Sequence, residues 1–320
     1  MHLIRSLQNP NINKETCLTI GNFDGFHLGH QKILQKVKET AKHKNIASAV
    51  LSFEPHPNKF FKKEHNANFR INSIACKIKF IKEFGIDYAI IINFNQKFSQ
   101  ISANEFLRDI IIKKLKTKNI IIGHDFVFGK DRLGDINFLK KLESELDFEA
   151  SSIDPIKINS RICSSSLIRE YIMKAKIKEA NELLGRNYAI NSVVIKGKNM
   201  GHKIGFPTAN MVAKPDSIKL KYGVYKTKTY LPHLNKNFDS ITNFGIKPTV
   251  QSNNNELIET HIFNFQGNIY GKKISIEFTD FIREEKKFIS IEDLQRQIKN
   301  DIKALYRLDT LNDITDSKLK

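Results

Sequence analysis

Gly21-Asn22-Phe23-Asp24-Gly25-Phe26-His27-Leu28-Gly29-His30 stands between a β-rich run, Cys17 to Ile20, and a helical pattern from Gln31 to His43. A strand, a glycine-bearing turn and a helix in succession form the opening unit of a parallel sheet. Gly21 and Gly25 let the backbone turn tightly. Gly29 removes a side chain where a phosphate could approach the helix start, whose free N–H groups favour anions. His27 and His30 flank that gap. Imidazoles can donate hydrogen bonds to non-bridging phosphate oxygens and stabilise charge as pyrophosphate departs, without covalent attachment. Each histidine alone would read as a surface residue or a helix cap. The spacing H-x-G-H at a strand-to-helix turn is a more specific signal, for nucleotidyl transfer.

Outward from this stretch the pattern repeats. Ser48 to Phe53, Asp87 to Asn93, Asn119 to Gly123 and Phe148 to Ile153 read as further strands. Lys77 to Phe84, Ala103 to Leu115 and Asn137 to Leu146 have helical spacing, with Ser102 and Glu105 placed to cap the second of these. The alternation predicts a parallel sheet with helices on both faces and ligands beyond the carboxyl ends of its strands. Two other segments lie at such ends. Gly123-His124-Asp125-Phe126-Val127-Phe128-Gly129 offers Asp125 to a nucleotide, or is a glycine-rich loop over core phenylalanines. Ser164-Ser165-Ser166-Leu167-Ile168-Arg169 offers hydroxyls at a helix start and a guanidinium one turn inside it, a credible phosphate clamp or plain caps.

After Leu184-Gly185-Arg186 the pattern changes, predicting domains 1–186 and 187–320. Tyr188 to Lys196, Gly223 to Tyr230, Phe238 to Phe244, Ile258 to Phe263 and Lys273 to Ile282 are β-rich and separated by turn-formers. Ile291 to Arg307 reads as a closing amphipathic helix, and the last dozen residues as a frayed polar tail. Antiparallel strands without intervening helices make a barrel or sandwich. Gly201-His202-Lys203-Ile204-Gly205-Phe206-Pro207-Thr208-Ala209-Asn210 opens this half. Thr208 and Asn210, two apart, project to one side and offer neutral oxygens suited to a hard cation, though P-T-x-N alone could be a turn. Glu259, in an apolar-rich strand, is either solvent-facing or a general base.

Composition sets the class. The 320 residues carry a formal charge of +18, which favours anionic partners without saying which, and 40% apolar content excludes a disordered chain. No apolar run is long enough to span a bilayer, and Met1 to Asn11 lacks the apolar core of a secretory signal, so a soluble, cytoplasmic protein is expected. Cys17, Cys76 and Cys163 form no C-x-x-C pair, which fits a reducing compartment without a disulfide framework or structural zinc.

GNFDGFHLGH, SFEPHP (52–57), GHDFVFGKDRLGD (123–135), SSSLIR and LLGR together resemble the amino-terminal module of the prokaryotic bifunctional riboflavin kinase/FAD synthetase family. GFPTAN, GVY (223–225), NFGIKPTV (243–250), ETHIF, IYG (269–271) and FIREEKKF (281–288) follow in the order of that family's kinase module. The resemblance covers nearly the whole chain. It implies a Rossmann-like nucleotidyltransferase domain, then a six-stranded antiparallel β-barrel with a carboxy-terminal helix, an α/β plus all-β chain. It implies His27 and His30 as ATP-phosphate contacts. Asn22, Asp24, Asp125, Ser165, Ser166 and Arg169 become further substrate and nucleotide contacts. Gly201, Gly205 and Pro207 shape the second nucleotide site, Thr208 and Asn210 hold Mg-ATP, and Glu259 takes the proton from the 5′-hydroxyl of the ribityl chain. The sequence departs from the family at Ser166 (usually Thr), Cys163 (usually aliphatic), His202 and Lys247 (often Arg), and Asn264 and Asn268 (often Asp).

The expectation is an enzyme that phosphorylates riboflavin to FMN with ATP and Mg²⁺, releasing ADP, then adenylylates FMN to FAD and releases pyrophosphate. No nucleic acid or membrane partner is expected. Two rivals are a chain with one working module and a basic, flavin-sensing nucleic-acid-binding regulator. The latter needs exposed aromatics among basic residues, whereas most of the 23 phenylalanines sit in apolar strand patterns.

Overall fold

The computed structural model describes residues 1–61, 69–197, 200–246 and 256–316; for Met200, Lys203 and residues 306–316 only the backbone is described. Lys247 therefore lies outside the described residues. Backbone packing divides the chain into two compact units, Met1–Leu167 and Ile168–Lys320.

In the first unit β1 (His2–Ile4), β2 (Thr16–Ile20), β3 (Ala47–Glu54), β4 (Tyr88–Asn93), β5 (Thr117–Gly123) and β6 (Glu149–Ile153) form one sheet in the order β1-β4-β3-β2-β5-β6. Every neighbouring pair is parallel. β2 is buried at all its residues, as a strand covered on both faces must be. Alternate residues feed different cores. Leu18, Leu51, Ile90 and Ile120 pack with Phe106, Leu107 and Leu139, from helices late in the unit. Val50 and Ala89 pack with Leu34, and Cys17 and Ile121 with Val37 and Ala41, all from helix Leu28–His43. The doubly covered parallel sheet is the expected one. The chain steps from β2 through β3 to β4 on one side and places β5 and β6 on the other. Direction thus reverses at β2, and the loops after β2 and β5 flank the switch point where such sheets bind ligands.

Local chemistry moves several boundaries. The first helix begins at Leu28 rather than Gln31 because His27 caps it. The helix expected from Lys77 begins at Ile74, since Ser73 Oγ accepts the Cys76 N–H at 3.3 Å. Ser102 caps as expected, accepting the Glu105 N–H at 3.1 Å, but the helix widens into a π-helix over Phe106–Lys114. β1, three residues at the sheet edge, is too short to show a period. A two-residue ladder, β7 (Lys157–Ile158) with β8 (Arg161–Ile162), precedes helix Ser165–Met173.

In the second unit β9 (Tyr188–Val193), β10 (Ala209–Val212), β11 (Gly223–Leu231), β12 (Lys236–Ile246), β13 (Glu256–Ile262) and β14 (Lys273–Glu284) form an antiparallel sheet in the order β10-β13-β12-β11-β14-β9. The Ile195–Asn210 bridge and the bond from Ser192 Oγ to Val212 O (3.4 Å) join its two edges into a barrel. β10 was not among the expected full strands because it is four residues long and begins only two residues after Pro207. Inside the barrel Thr229, Ser240, Thr227, Thr242 and Thr260, each at most 1% exposed, are linked Oγ to Oγ in that order at 2.8 to 2.9 Å.

The closing helix runs over Ile291–Asp316, so residues to Asp316 are helical where a frayed tail was expected. Leu308, Leu311 and Ile314 extend the apolar spacing that the tail reading overlooked. Leu305 packs on Val224 and Ile241 of the barrel. Asp301, 4% exposed, accepts from Arg283 Nε at 2.9 Å and Nη2 at 2.7 Å. Asp301→Ala leaves that guanidinium half of a broken buried pair and is expected to cost about 3–5 kcal/mol. Urea unfolding of the second unit checks this. A loss under about 1 kcal/mol would mean that the apolar contact at Leu305 docks the helix without the ion pair.

Candidate functional site

At the carboxyl end of β2 the loop Gly21–His27 is held from several sides. Ser52 Oγ, on β3, donates to Asn22 O at 3.2 Å. Asp24, 4% exposed, accepts the backbone N–H groups of Ile71 (3.1 Å) and Asn72 (3.2 Å), and its own carbonyl accepts Ser165 Oγ–H at 2.8 Å. The loop needs this support, because Phe23 (φ 49°) and Phe26 (φ 44°) occupy the left-handed region that bulky side chains avoid. Gly25 (φ 80°) is the position where glycine is required: a Cβ there would also meet Ile71 Cδ1 at 2.9 Å.

The structure brings the two histidines together. Their rings stack with centroids 3.7 Å apart at 22°, and Phe23 packs against His30 at 5.1 Å. A Cβ on Gly29 would come within 3.0 Å of the His27 ring, so the close approach depends on that glycine. His27 Nδ1 accepts the His30 backbone N–H at 3.4 Å and lies 3.5 Å from Cys163 Sγ. Burial pushes the Cys163 thiol up, so it stays S–H and can donate to the same nitrogen. A ring nitrogen that accepts cannot carry the proton, so neutral His27 carries it on Nε2.

Of the other expected contacts, Asn22 is half-buried and its Oδ1 has no hydrogen-bond partner. Asp125 is exposed at the end of β5, with His124 Nδ1 3.8 Å from its carboxylate. Ser165 begins its helix with its hydroxyl spent on Asp24 O, Ser166 is exposed, and Arg169, one turn on, is half-buried. Asp24 is thus a loop anchor, both of its oxygens taken by backbone amides. The unexpected members are Ser52, Lys77 and a run of rings. Lys77, 5% exposed, donates to Ser52 Oγ at 3.1 Å. Its signal was available in the sequence as a lysine on the apolar face of a helix, one turn before Ile81. Phe60, Phe61, Phe94 and Phe98 meet edge-on at 5.3 to 5.7 Å beyond β3 and β4, and Phe61 is 63% exposed.

In the second unit Gly201-to-Pro207 leads into β10. A Cβ on Gly201 would strike Phe206 O at 2.3 Å and reach Thr208 Oγ1 at 3.3 Å; Gly205 has φ 81°. Pro207 O accepts from His261 Nδ1 at 2.8 Å, and Ile204 O accepts from Gln295 Nε2 on the closing helix at 3.2 Å. Asn210, 6% exposed, gives its Nδ2–H to Thr208 O at 3.3 Å, and its amide lies so close to Gly197 that a Cβ there would meet Nδ2 at 2.4 Å. Asn210 pairs with Glu259 across β10 and β13, and Glu259 pairs with Asn243 across β13 and β12. Paired residues project to the same side, so Asn210, Glu259 and Asn243 share the outer face, opposite the threonine-lined interior. Glu259 is half-buried there. Among the described residues no three His, Cys, Asp or Glu side chains cluster as a metal site.

A doubly covered parallel α/β sheet with paired histidines at its switch point, followed by a closed antiparallel barrel, defines a two-unit architecture with a candidate ligand site in each unit. The FAD synthetase family matches residues 9–167 and the riboflavin kinase family residues 184–308. A bifunctional riboflavin kinase/FMN adenylyltransferase of Buchnera aphidicola subsp. Schizaphis graminum is 40% identical over 308 residues, 95% of this chain and 98% of that one. The protein of that name from Escherichia coli K12 is 33% identical, with 94% and 96% covered. The chain belongs to the bifunctional riboflavin kinase/FMN adenylyltransferase family. A crystal structure described as a macrolide-efflux protein from Streptococcus pneumoniae shares the fold, with TM-score 0.85, 27% identity and coverage of 94% of this chain and 97% of that chain. Among the described residues no helix here is long and apolar enough to cross a membrane.

Proposed function

We propose that this chain makes both flavin cofactors, phosphorylating riboflavin to FMN in its second unit and adenylylating FMN to FAD in its first. The observation that carries the reading is the presence of both family modules, each with its own polar constellation, in one chain. In the first unit an FMN phosphate oxygen attacks the α-phosphorus of ATP as the bond to pyrophosphate breaks. His27 Nε2–H and His30 lie at the helix start, where donors meet the departing charge, with Arg169 and Ser166 as further phosphate contacts. Asn22 Oδ1 is an acceptor available to a substrate hydroxyl or amino group. Asp125 faces solvent at the same edge of the sheet.

In the second unit Glu259 accepts the ribityl hydroxyl proton as that oxygen bonds the γ-phosphorus and ADP leaves. Thr208 and Asn210 supply neutral oxygens beside a glycine that leaves room, a set that fits Mg²⁺ already carrying phosphates; when bound, the ion neutralises charge on the transferred group. The ligands of this reading are small anions and flavins, and a cytoplasmic setting, where ATP is at hand, is part of the same proposal. Incubation with riboflavin, MgCl₂ and ATP, with the flavins separated by chromatography, tests the reading. FMN followed by FAD is expected; FMN alone means one working module, and unchanged riboflavin overturns the proposal.

The boundary between the two chemistries is proposed at Arg186/Asn187. Helix Ile177–Leu184 nevertheless braces the barrel: Asn181 donates to Phe278 O at 2.9 Å and accepts the Tyr188 N–H at 2.7 Å. A fragment of residues 168–320 is expected to make FMN without FAD and to melt higher than a fragment of residues 187–320. Equal melting temperatures would deny the helix that role.

A further inference from the structure

Beneath the histidine loop lies a polar chain that neither proposed reaction uses. Lys77 Nζ donates to Ser52 Oγ at 3.1 Å, and Ser52 Oγ–H donates to the Asn22 carbonyl at 3.2 Å. The direction is fixed by chemistry. An ammonium has three donors and no acceptor, so Ser52 can only accept from it and must turn its own hydrogen to Asn22 O. That carbonyl belongs to the peptide joining Asn22 to Phe23, the residue at φ 49° whose buried ring packs on His30. A backbone in this region costs about 1–2 kcal/mol and persists only where its surroundings hold it.

We propose that Lys77 is a positioning residue for adenylyl transfer: its ammonium, acting through Ser52 and the Asn22 carbonyl, fixes the Phe23 turn and so sets His30 against His27. The inference rests on the reading of the first unit as the adenylyltransferase. A neutral amine has a lone pair that can accept from Ser52, and the chain then loses its imposed direction. The charged groups around Lys77 are Asp24 in the loop, Glu54 on β3 and Arg70 before the helix. Arg70 is itself bound to Glu54 through Nη1 (3.0 Å) and Nη2 (2.5 Å). Burial lowers the Lys77 pKa from 10.5 to about 8, Asp24 and Glu54 pull the other way, and Arg70 adds to the lowering. Deprotonation therefore falls within an accessible pH range, with the positioned form below it.

The test is the pH profile of FAD formation from supplied FMN and Mg-ATP, with riboflavin phosphorylation by the same full chain as the internal control. Wild type is expected to lose FAD synthesis above about pH 8. Lys77→Arg, which keeps its charge, should move that limb upward, whereas Lys77→Met should lower the rate roughly 10- to 100-fold with a flat alkaline side. Ser52→Ala keeps the cation, removes the link and should lower the rate roughly 10-fold, while every variant phosphorylates riboflavin at the wild-type rate. Should Lys77→Met fail to fold, seen as an altered melt of the first unit with kinase activity retained, Ser52→Ala and Lys77→Arg still decide. An unchanged alkaline limb in Lys77→Arg, or full activity in Ser52→Ala, overturns the proposal while leaving the functional reading intact. A wild-type chain that forms no FAD at any pH overturns both.

Discussion

Glu259→Gln is expected to lower riboflavin phosphorylation by a factor on the order of 10² to 10⁴ and to leave adenylylation of supplied FMN unchanged. A primary hydroxyl is a poor nucleophile, and a carboxylate within reach takes its proton as the bond to phosphorus forms. Glutamine keeps the shape and loses the base. Because phosphoryl transfer relies on positioning and metal as well, the loss is expected toward the lower end of that range. Single-turnover kinetics with riboflavin and Mg-ATP separate chemistry from binding. Glu259 shares its face of the barrel with Asn210, so the substitution also probes the metal assignment. Retained affinity for Mg-ATP with lost turnover supports the base. Joint loss of binding and turnover makes Glu259 part of the ion site, and turnover within a small factor of wild type returns it to an ordinary strand residue.

His30→Ala should have the mirror-image effect, reducing FAD synthesis by a factor on the order of 10² to 10³ with FMN synthesis intact. The stacked pair gives the variant a second consequence. His27 loses a ring against its face at 3.7 Å, although its cap on the His30 backbone N–H survives the substitution, because that amide remains. His30→Phe keeps the stack and removes the donor, so it separates support from catalysis. If His30→Phe restores FAD synthesis lost in His30→Ala, His30 acts by packing alone. If both are equally impaired, the donor is what matters.

The parallel sheet was legible because its strands alternate with helices over long stretches, and the histidine loop stands where sequence order places it, at the carboxyl end of β2. What escaped was decided by contacts distant in sequence. β1 exists because Tyr88, Ala89 and Ile90 offer it an edge, and β10 because Thr260 to Leu257 offer another; three- and four-residue strands carry no usable period of their own. The first helix starts three residues early because a histidine expected to face phosphate also caps the helix with its other nitrogen. Asp24 stands in the motif loop, and its carboxylate also accepts the backbone amides of Ile71 and Asn72, 47 and 48 residues away. No local pattern announces such a bond. Lys77 was visible as an oddity on an apolar helix face, but its meaning depends on Ser52, 25 residues away in the sequence.

The hydroxyls inside the barrel impose a constraint of another kind. Each of Thr229, Ser240, Thr227, Thr242 and Thr260 has a single hydrogen to give, so the donors must all run one way along the line or reverse together at a shared acceptor. The positions therefore cannot change one at a time without penalty. A valine at Thr242 would take from Thr260 its partner in the line and from Thr227 one of two, at about 1–3 kcal/mol for each buried group left without a partner, whereas apolar residues of matching shape at all five could be close to neutral. A sequence can move between those two interiors only across a valley of less stable intermediates. The barrel is thus held to a hydroxyl-lined core by the difficulty of the route rather than by the merit of the destination.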